Sequence, residues 1–249
     1  MNAPDMQPNG QRLRVAVELL AGLLLLAAMA LALQHWTDWP LRSVFAAFAV
    51  LALVSLLLLL LHWNPPQTIR GLGHANRVTL LRATLVALVA GSVAAPQWLP
   101  LHALLCCALA LAALALDGLD GAVARRTRSD TAFGASFDME LDAFFILVLS
   151  FACWIGGRAG AWVLAIGFMR YAMLVAAQLS PRLRGKVPPS FFARLVCVLQ
   201  IAALVIALLP WTPLALASAL LAIALALLTV SFGRDVVWLL GRQQAPTLT

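Results

Sequence analysis

The chain of 249 residues carries 17 Lys and Arg against 10 Asp and Glu, a formal net charge of +7, yet only 11% of its residues are charged and 63% are hydrophobic. A chain this apolar cannot cover itself with a polar surface, which excludes an ordinary soluble enzyme. Nucleic acid is not needed to explain the positive charge either, because the basic residues fall in short groups between apolar runs, where anionic lipid headgroups attract them.

Eight apolar runs follow in chain order, near 15–34, 42–62, 79–95, 101–123, 138–155, 159–179, 193–209 and 212–232. Each approaches the roughly twenty residues that ~30 Å of hydrocarbon requires of a helix. Arg12 and Arg14, then Arg70, Arg77 and Arg82, then Arg125, Arg126 and Arg128, then Arg182, Arg184 and Lys186, then Arg234 and Arg242 recur on alternate connections. Positive charge is retained on the cytoplasmic side, so both termini are expected there. The opposite connections are short and carry little besides Asp38 and Arg158, while Trp36, Trp39, Trp98 and Trp211 stand where an interfacial aromatic belt is expected. Cys106, Cys107, Cys153 and Cys197 lie inside the runs without metal-finger spacing and read as small core residues.

Six of the ten acidic residues fall between Asp117 and Asp142, from the end of the fourth run to the start of the fifth. A carboxylate within a membrane helix costs about 2.5–3.5 kcal/mol on insertion scales, so such a concentration requires partners or a function. Asp117 and Asp120 are spaced i, i+3 and Asp138 and Asp142 i, i+4, so each pair shares a helical face. A hairpin that turns these faces together forms a pocket of four carboxylates. Oxygen ligands on rigid helices suit Mg²⁺ or Mn²⁺, which commonly bridge to substrate phosphates. Gly121, Ala124 and Gly134 leave room for close approach, and Arg125 can fork onto a phosphate. Glu140, turned about 200° from Asp138 at ~100° per residue, points away from this face.

Read in full, Asp117-x2-Asp120-Gly121-x2-Ala124-Arg125-x8-Gly134-x3-Asp138-x3-Asp142 resembles, at all eight fixed positions, the signature of the CDP-alcohol phosphatidyltransferase family. Upstream, Asn76-x2-Thr79-x2-Arg82 is similar to the segment that opens that family's first core helix. The resemblance implies an all-α integral membrane fold: a six-helix core over residues 70–232, with two additional N-terminal transmembrane helices in residues 1–69 and a cytoplasmic tail over 233–249. It also implies a homodimer in a bacterial-type inner membrane, with an active site facing the cytoplasmic leaflet.

The resemblance further implies that Asp117, Asp120, Asp138 and Asp142 hold Mg²⁺ or Mn²⁺ against the diphosphate of CDP-diacylglycerol. Asp142 corresponds to the general base that takes a proton from the acceptor hydroxyl. Asn76, Thr79, Gly121, Ala124, Arg125, Thr131 and Gly134 correspond to the surroundings of the CDP-lipid. Arg170, inside the sixth run, resembles an arginine of members that accept glycerol phosphate, and Arg182, Arg184, Lys186 and Arg194 form a basic group able to bind a phosphorylated acceptor. These features favour glycerol 3-phosphate, as in a phosphatidylglycerophosphate synthase, with inositol phosphate, serine or another alcohol as alternatives. Arg170-Tyr171 and Gly185-Lys186-Val187-Pro188-Pro189 depart from the Arg-Glu and Gly-Lys-x-Lys-Thr often found in such synthases. A transporter or ion pathway would also place acids in membrane helices, but does not explain the fixed Gly, Ala and Arg positions. Intramembrane prenyltransferases carry their acidic motifs on well-separated helices, not on one hairpin.

Overall fold

The computed structural model describes the backbone of residues 8–62, 74–127, 132–180, 183, 185 and 190–242, with side chains for 17–56, 78, 80–118, 138–180, 183, 185 and 190–241. Among the described residues there is no strand. The helices are α1 (Pro8–Thr37), α2 (Leu41–His62), α3 (His74–Val93), α4 (Ala103–Thr127), α5 (Ala132–Ile155), α6 (Leu164–Leu179), α7 (Phe191–Leu208) and α8 (Leu214–Arg242), with a 3-10 turn at Ala161–Val163 leading into α6. Each coincides with one of the apolar runs, as expected where the backbone must satisfy its own hydrogen bonds away from water. α8 continues to Arg242, so residues 233–242 of the expected tail are helical.

Four described stretches, Val17–Thr37, Ala161–Leu179, Phe191–Leu208 and Leu214–Gly241, are long and apolar enough to cross a membrane. Leu41–Leu56, Leu80–Val93 and Ala103–Gly118 are shorter apolar helical segments. Together they fit a multi-pass membrane protein. The chain divides into two compact units, Met1–Asp142 and Ala143–Thr249, with the boundary inside α5.

In the first unit α3 is central and packs against α1, α2 and α4. Its residues 82–89 are all buried, as expected of a helix covered on every side. The hydroxyls it buries are satisfied locally: Thr84 donates to the Leu80 carbonyl and Ser92 to that of Leu88, each at 3.0 Å. α1 ends where Asp38 takes a left-handed conformation (φ 51°), which a short polar side chain tolerates, and Pro40 precedes the first residue of α2.

Two of the four belt tryptophans have a different role from the one expected. Trp36 and Trp211 are 81% and 67% exposed, but Trp39 and Trp98 are 1% and 6% exposed. The Trp98 indole donates to the Thr37 carbonyl at 2.7 Å, and its ring stacks on His102 at 4.1 Å and lies 6.3 Å from the Trp39 ring. An amphipathic ring with a backbone carbonyl in reach is satisfied inside the protein and has no need of the interface. This contact fastens the end of α1 to the connection between α3 and α4.

In the second unit α7 and α8 pack together, and α6 lies close to the later part of α5. A Cβ at Gly167 would lie 2.6 Å from the Leu147 Cα, the close backbone approach that small residues permit between membrane helices. Cys153, buried as expected, donates to the Leu204 carbonyl at 3.4 Å.

Arg158, exceptional as a charge on a connection expected to lie outside, is consumed by the end of α7. Its Nε donates to the Ala207 carbonyl at 2.6 Å and its Nη2 to Leu209 at 3.1 Å and to Thr212. A guanidinium on the terminal carbonyls both satisfies them and complements the helix dipole. Arg158→Ala is expected to lower stability by about 2 kcal/mol, the scale of hydrogen bonds to a charged group. Thermal unfolding in detergent reads this, and Arg158→Lys, with one ammonium for three carbonyls, should recover only part of the loss.

Candidate active site

The residues that could carry chemistry meet where α3, α4 and the first part of α5 come together. Asp117 lies on α4, and Asp138 and Asp142 lie one turn apart on α5. Ligand oxygens from the three carboxylates lie within 4.8 Å of one another. The exposures of Asp117, Asp138 and Asp142 are 30%, 40% and 23%, so the group is partly open. The i, i+4 spacing on α5 therefore puts two acids on one face, and Glu140, between them in sequence, is exposed and not part of the group.

Arg82 occupies the centre of this cluster. Its Nη1 lies 2.7 Å from Asp117 Oδ1 and also pairs with Asp138 Oδ1, while its Nη2 pairs with Asp142 Oδ1. The guanidinium is 1% exposed, and its Nε is buried without a hydrogen-bond partner among the described residues. A planar fork with several donors is the cationic side chain suited to bridging carboxylates from two helices. Sequence spacing expected Arg82 among the orienting charges of a cytoplasmic connection; the structure buries it in α3. It is the site residue missing from the set read in the sequence. Its signal was present in Asn76-x2-Thr79-x2-Arg82, as the charge inside an otherwise apolar stretch of α3.

The donor set suits a divalent cation. Carboxylate oxygens held on two helices at this separation match the ligand chemistry of Mg²⁺ or Mn²⁺. Among the described residues, Asp117, Asp138 and Asp142 oppose the single guanidinium of Arg82.

Other expected site residues are placed by their helices alone. Asn76 and Thr79 are on α3, Asp120, Gly121, Ala124 and Arg125 on α4, and Gly134 on α5, with side chains outside the described residues. Thr131, Arg182, Arg184 and Lys186 lie outside the described residues altogether. In the second unit, Arg170 is half-buried on α6 and Arg194 exposed in the first turn of α7. Near the start of α7, the Arg234 guanidinium lies 5.0 Å from the centre of the Phe192 ring, a cation–π contact from α8.

Acids gathered among apolar helices are costly there and mark a functional site by default. The CDP-alcohol phosphatidyltransferase family matches residues 72–230, and the chain belongs to that family. It is a family of membrane transferases that use CDP-alcohol substrates to transfer phosphatidyl groups and generally depend on a divalent metal. No curated protein and no solved structure matches the chain.

Proposed function

We propose that the protein transfers a phosphatidyl group from CDP-diacylglycerol to glycerol 3-phosphate, releasing CMP, with Mg²⁺ or Mn²⁺ as cofactor. The observation that carries this reading is the convergence of Asp117, Asp138 and Asp142 from two helices onto one partly open point. Asp117, Asp120, Asp138 and Asp142 would hold the metal, whose chemistry when bound is to withdraw charge from the diphosphate oxygens and the departing CMP.

The chain's own residues do the rest. Asn76, Thr79, Gly121, Ala124, Arg125, Thr131 and Gly134 surround the nucleotide and its phosphates. Asp142 takes the proton of the acceptor hydroxyl as that oxygen bonds to the β-phosphorus. The bond from that phosphorus to the bridging oxygen breaks, and CMP leaves with the bridging oxygen. Proton removal matters because a neutral alcohol is a poor nucleophile. Arg82, at the centre of the cluster, holds the carboxylates in register. Arg170, Arg182, Arg184, Lys186 and Arg194 bind the acceptor's phosphate; the basic composition of the segment from Arg182 to Arg194 supports that choice over an uncharged alcohol. The six-helix core begins with α3, works as a homodimer, and faces the cytoplasm of an inner membrane with both termini on that side.

CMP release by the purified protein, given CDP-diacylglycerol, Mg²⁺ or Mn²⁺ and one acceptor at a time, tests the reading. Release with glycerol 3-phosphate alone is the expected result. Release only with serine or inositol phosphate would replace the acceptor and keep the chemistry, and no release with any acceptor would sink the transferase reading of the site.

A further inference from the structure

The family match begins at residue 72, after α1 and α2, yet these two helices cover α3, the helix that delivers Arg82 to the carboxylates. The contacts are close ones. A Cβ at Gly91 of α3 would meet the Ser43 carbonyl oxygen at 2.5 Å, Trp39 at 2.8 Å and the Ala47 Cβ at 3.0 Å, so the α2 backbone lies directly on α3. A Cβ at Gly22 of α1 would lie 3.0–3.2 Å from three side-chain carbons of Leu80, two residues before Arg82. The Trp98 bond to the Thr37 carbonyl ties the end of α1 to the segment that follows α3.

We infer that α1 and α2 act as a built-in brace that fixes the position of α3, and through it the distance between Arg82 and the aspartate cluster. Gly22, Leu80 and Gly91 are then positioning residues of the site. The inference rests on the proposed metal site at Asp117, Asp138 and Asp142. Arg82 is 1% exposed and paired with carboxylates of α4 and α5, so a shift of α3 displaces its charge relative to them. The cation affinity of a carboxylate cluster depends on the charge beside it. At an effective dielectric of ~20, shifting a unit charge by ~1 Å from a position ~5 Å from a divalent ion changes binding about fivefold or more.

The test uses full-length protein in detergent and reads Mn²⁺ binding by the electron paramagnetic resonance of free Mn²⁺, with circular dichroism to confirm folding. Gly91→Ala drives a methyl onto the Ser43 backbone, and Gly22→Leu displaces Leu80; each is expected to change the Mn²⁺ affinity at least about fivefold. Gly22→Leu combined with Leu80→Ala removes most of the added volume and is expected to come back within about twofold of wild type, a rescue that general loss of stability does not produce. Unchanged affinity in the folded single variants, or a double variant no closer to wild type than Gly22→Leu, would overturn the brace. If Gly91→Ala does not fold, the Gly22 and Leu80 pair decides alone, and if Gly22→Leu does not fold either, recovery of folding and affinity in the double variant supports the brace and its failure overturns it. Wild-type protein that binds no Mn²⁺ would overturn the metal reading and the brace's action on it together, whereas equal binding by all folded forms would overturn the brace alone.

Discussion

Asp142→Asn is expected to lower CMP release by at least about 10³-fold while the protein stays folded. General-base catalysis contributes roughly 10²–10⁴-fold, and the same substitution removes one of the anions proposed to hold the metal. The change is nearly isosteric. The remaining amide oxygen can still accept from the charged Arg82 Nη2, so a hydrogen bond between α3 and α5 survives without the carboxylate's charge. Turnover near the wild-type rate in well-folded Asp142→Asn would remove Asp142 from the role of base. Circular dichroism and size-exclusion behaviour separate a chemical loss from a structural one.

Arg82→Gln is expected to have opposite effects on stability and on metal affinity. Without the guanidinium, the carboxylates of Asp117, Asp138 and Asp142 lose the positive charge that bridges them. Breaking a buried ion pair costs about 3–5 kcal/mol, and because these carboxylates keep some exposure the lower end, about 3 kcal/mol, is expected in the absence of metal. Two effects then compete for the metal. Losing a group that orients the ligands weakens metal sites about 10–100-fold, which is ~1.4–2.8 kcal/mol. A unit and a double positive charge ~5 Å apart repel by about 6–7 kcal/mol at an effective dielectric of ~20. Relief of this repulsion outweighs the loss of orientation, so Arg82→Gln should bind Mn²⁺ more tightly than wild type. Thermal unfolding with and without Mn²⁺ checks both halves: at a concentration about one hundred times the dissociation constant the ion should restore about 2.7 kcal/mol. A variant as stable as wild type without metal, or one that binds Mn²⁺ more weakly, would show that the three ion pairs do not set the balance of charge at the site.

Much of the architecture was legible because membrane helices write themselves into sequence as uninterrupted apolar runs. The eight runs correspond to α1–α8, and the spacing of Asp138 and Asp142 placed them correctly on one face, with Glu140 turned aside. Contacts between distant segments were not legible, because periodicity reports only on a residue's own helix. Arg82 is 56 residues from Asp138 and 60 from Asp142, and by charge alone it could not be told from the arginines that orient the chain. Trp39 and Trp98 have the composition of a lipid-facing belt, but a carbonyl 61 residues away from Trp98 satisfies its indole within the protein. Arg158 was visible as an exception to the charge rule, and the carbonyls at the end of α7 that explain it became visible only in three dimensions.

The Arg82 cluster also sets a constraint on how the chain is built. Arg82 lies on α3, which leaves the ribosome before α4 and α5, where its counterions lie. An arginine in the middle of an inserting helix carries a penalty of about 2.5–3.5 kcal/mol on the translocon scale. Until α4 and α5 follow, α3 carries this penalty without its counterions. Pairing with the acids of α4 and α5 offsets it, so the ion pairs that organise the finished site also favour the three helices sharing the bilayer.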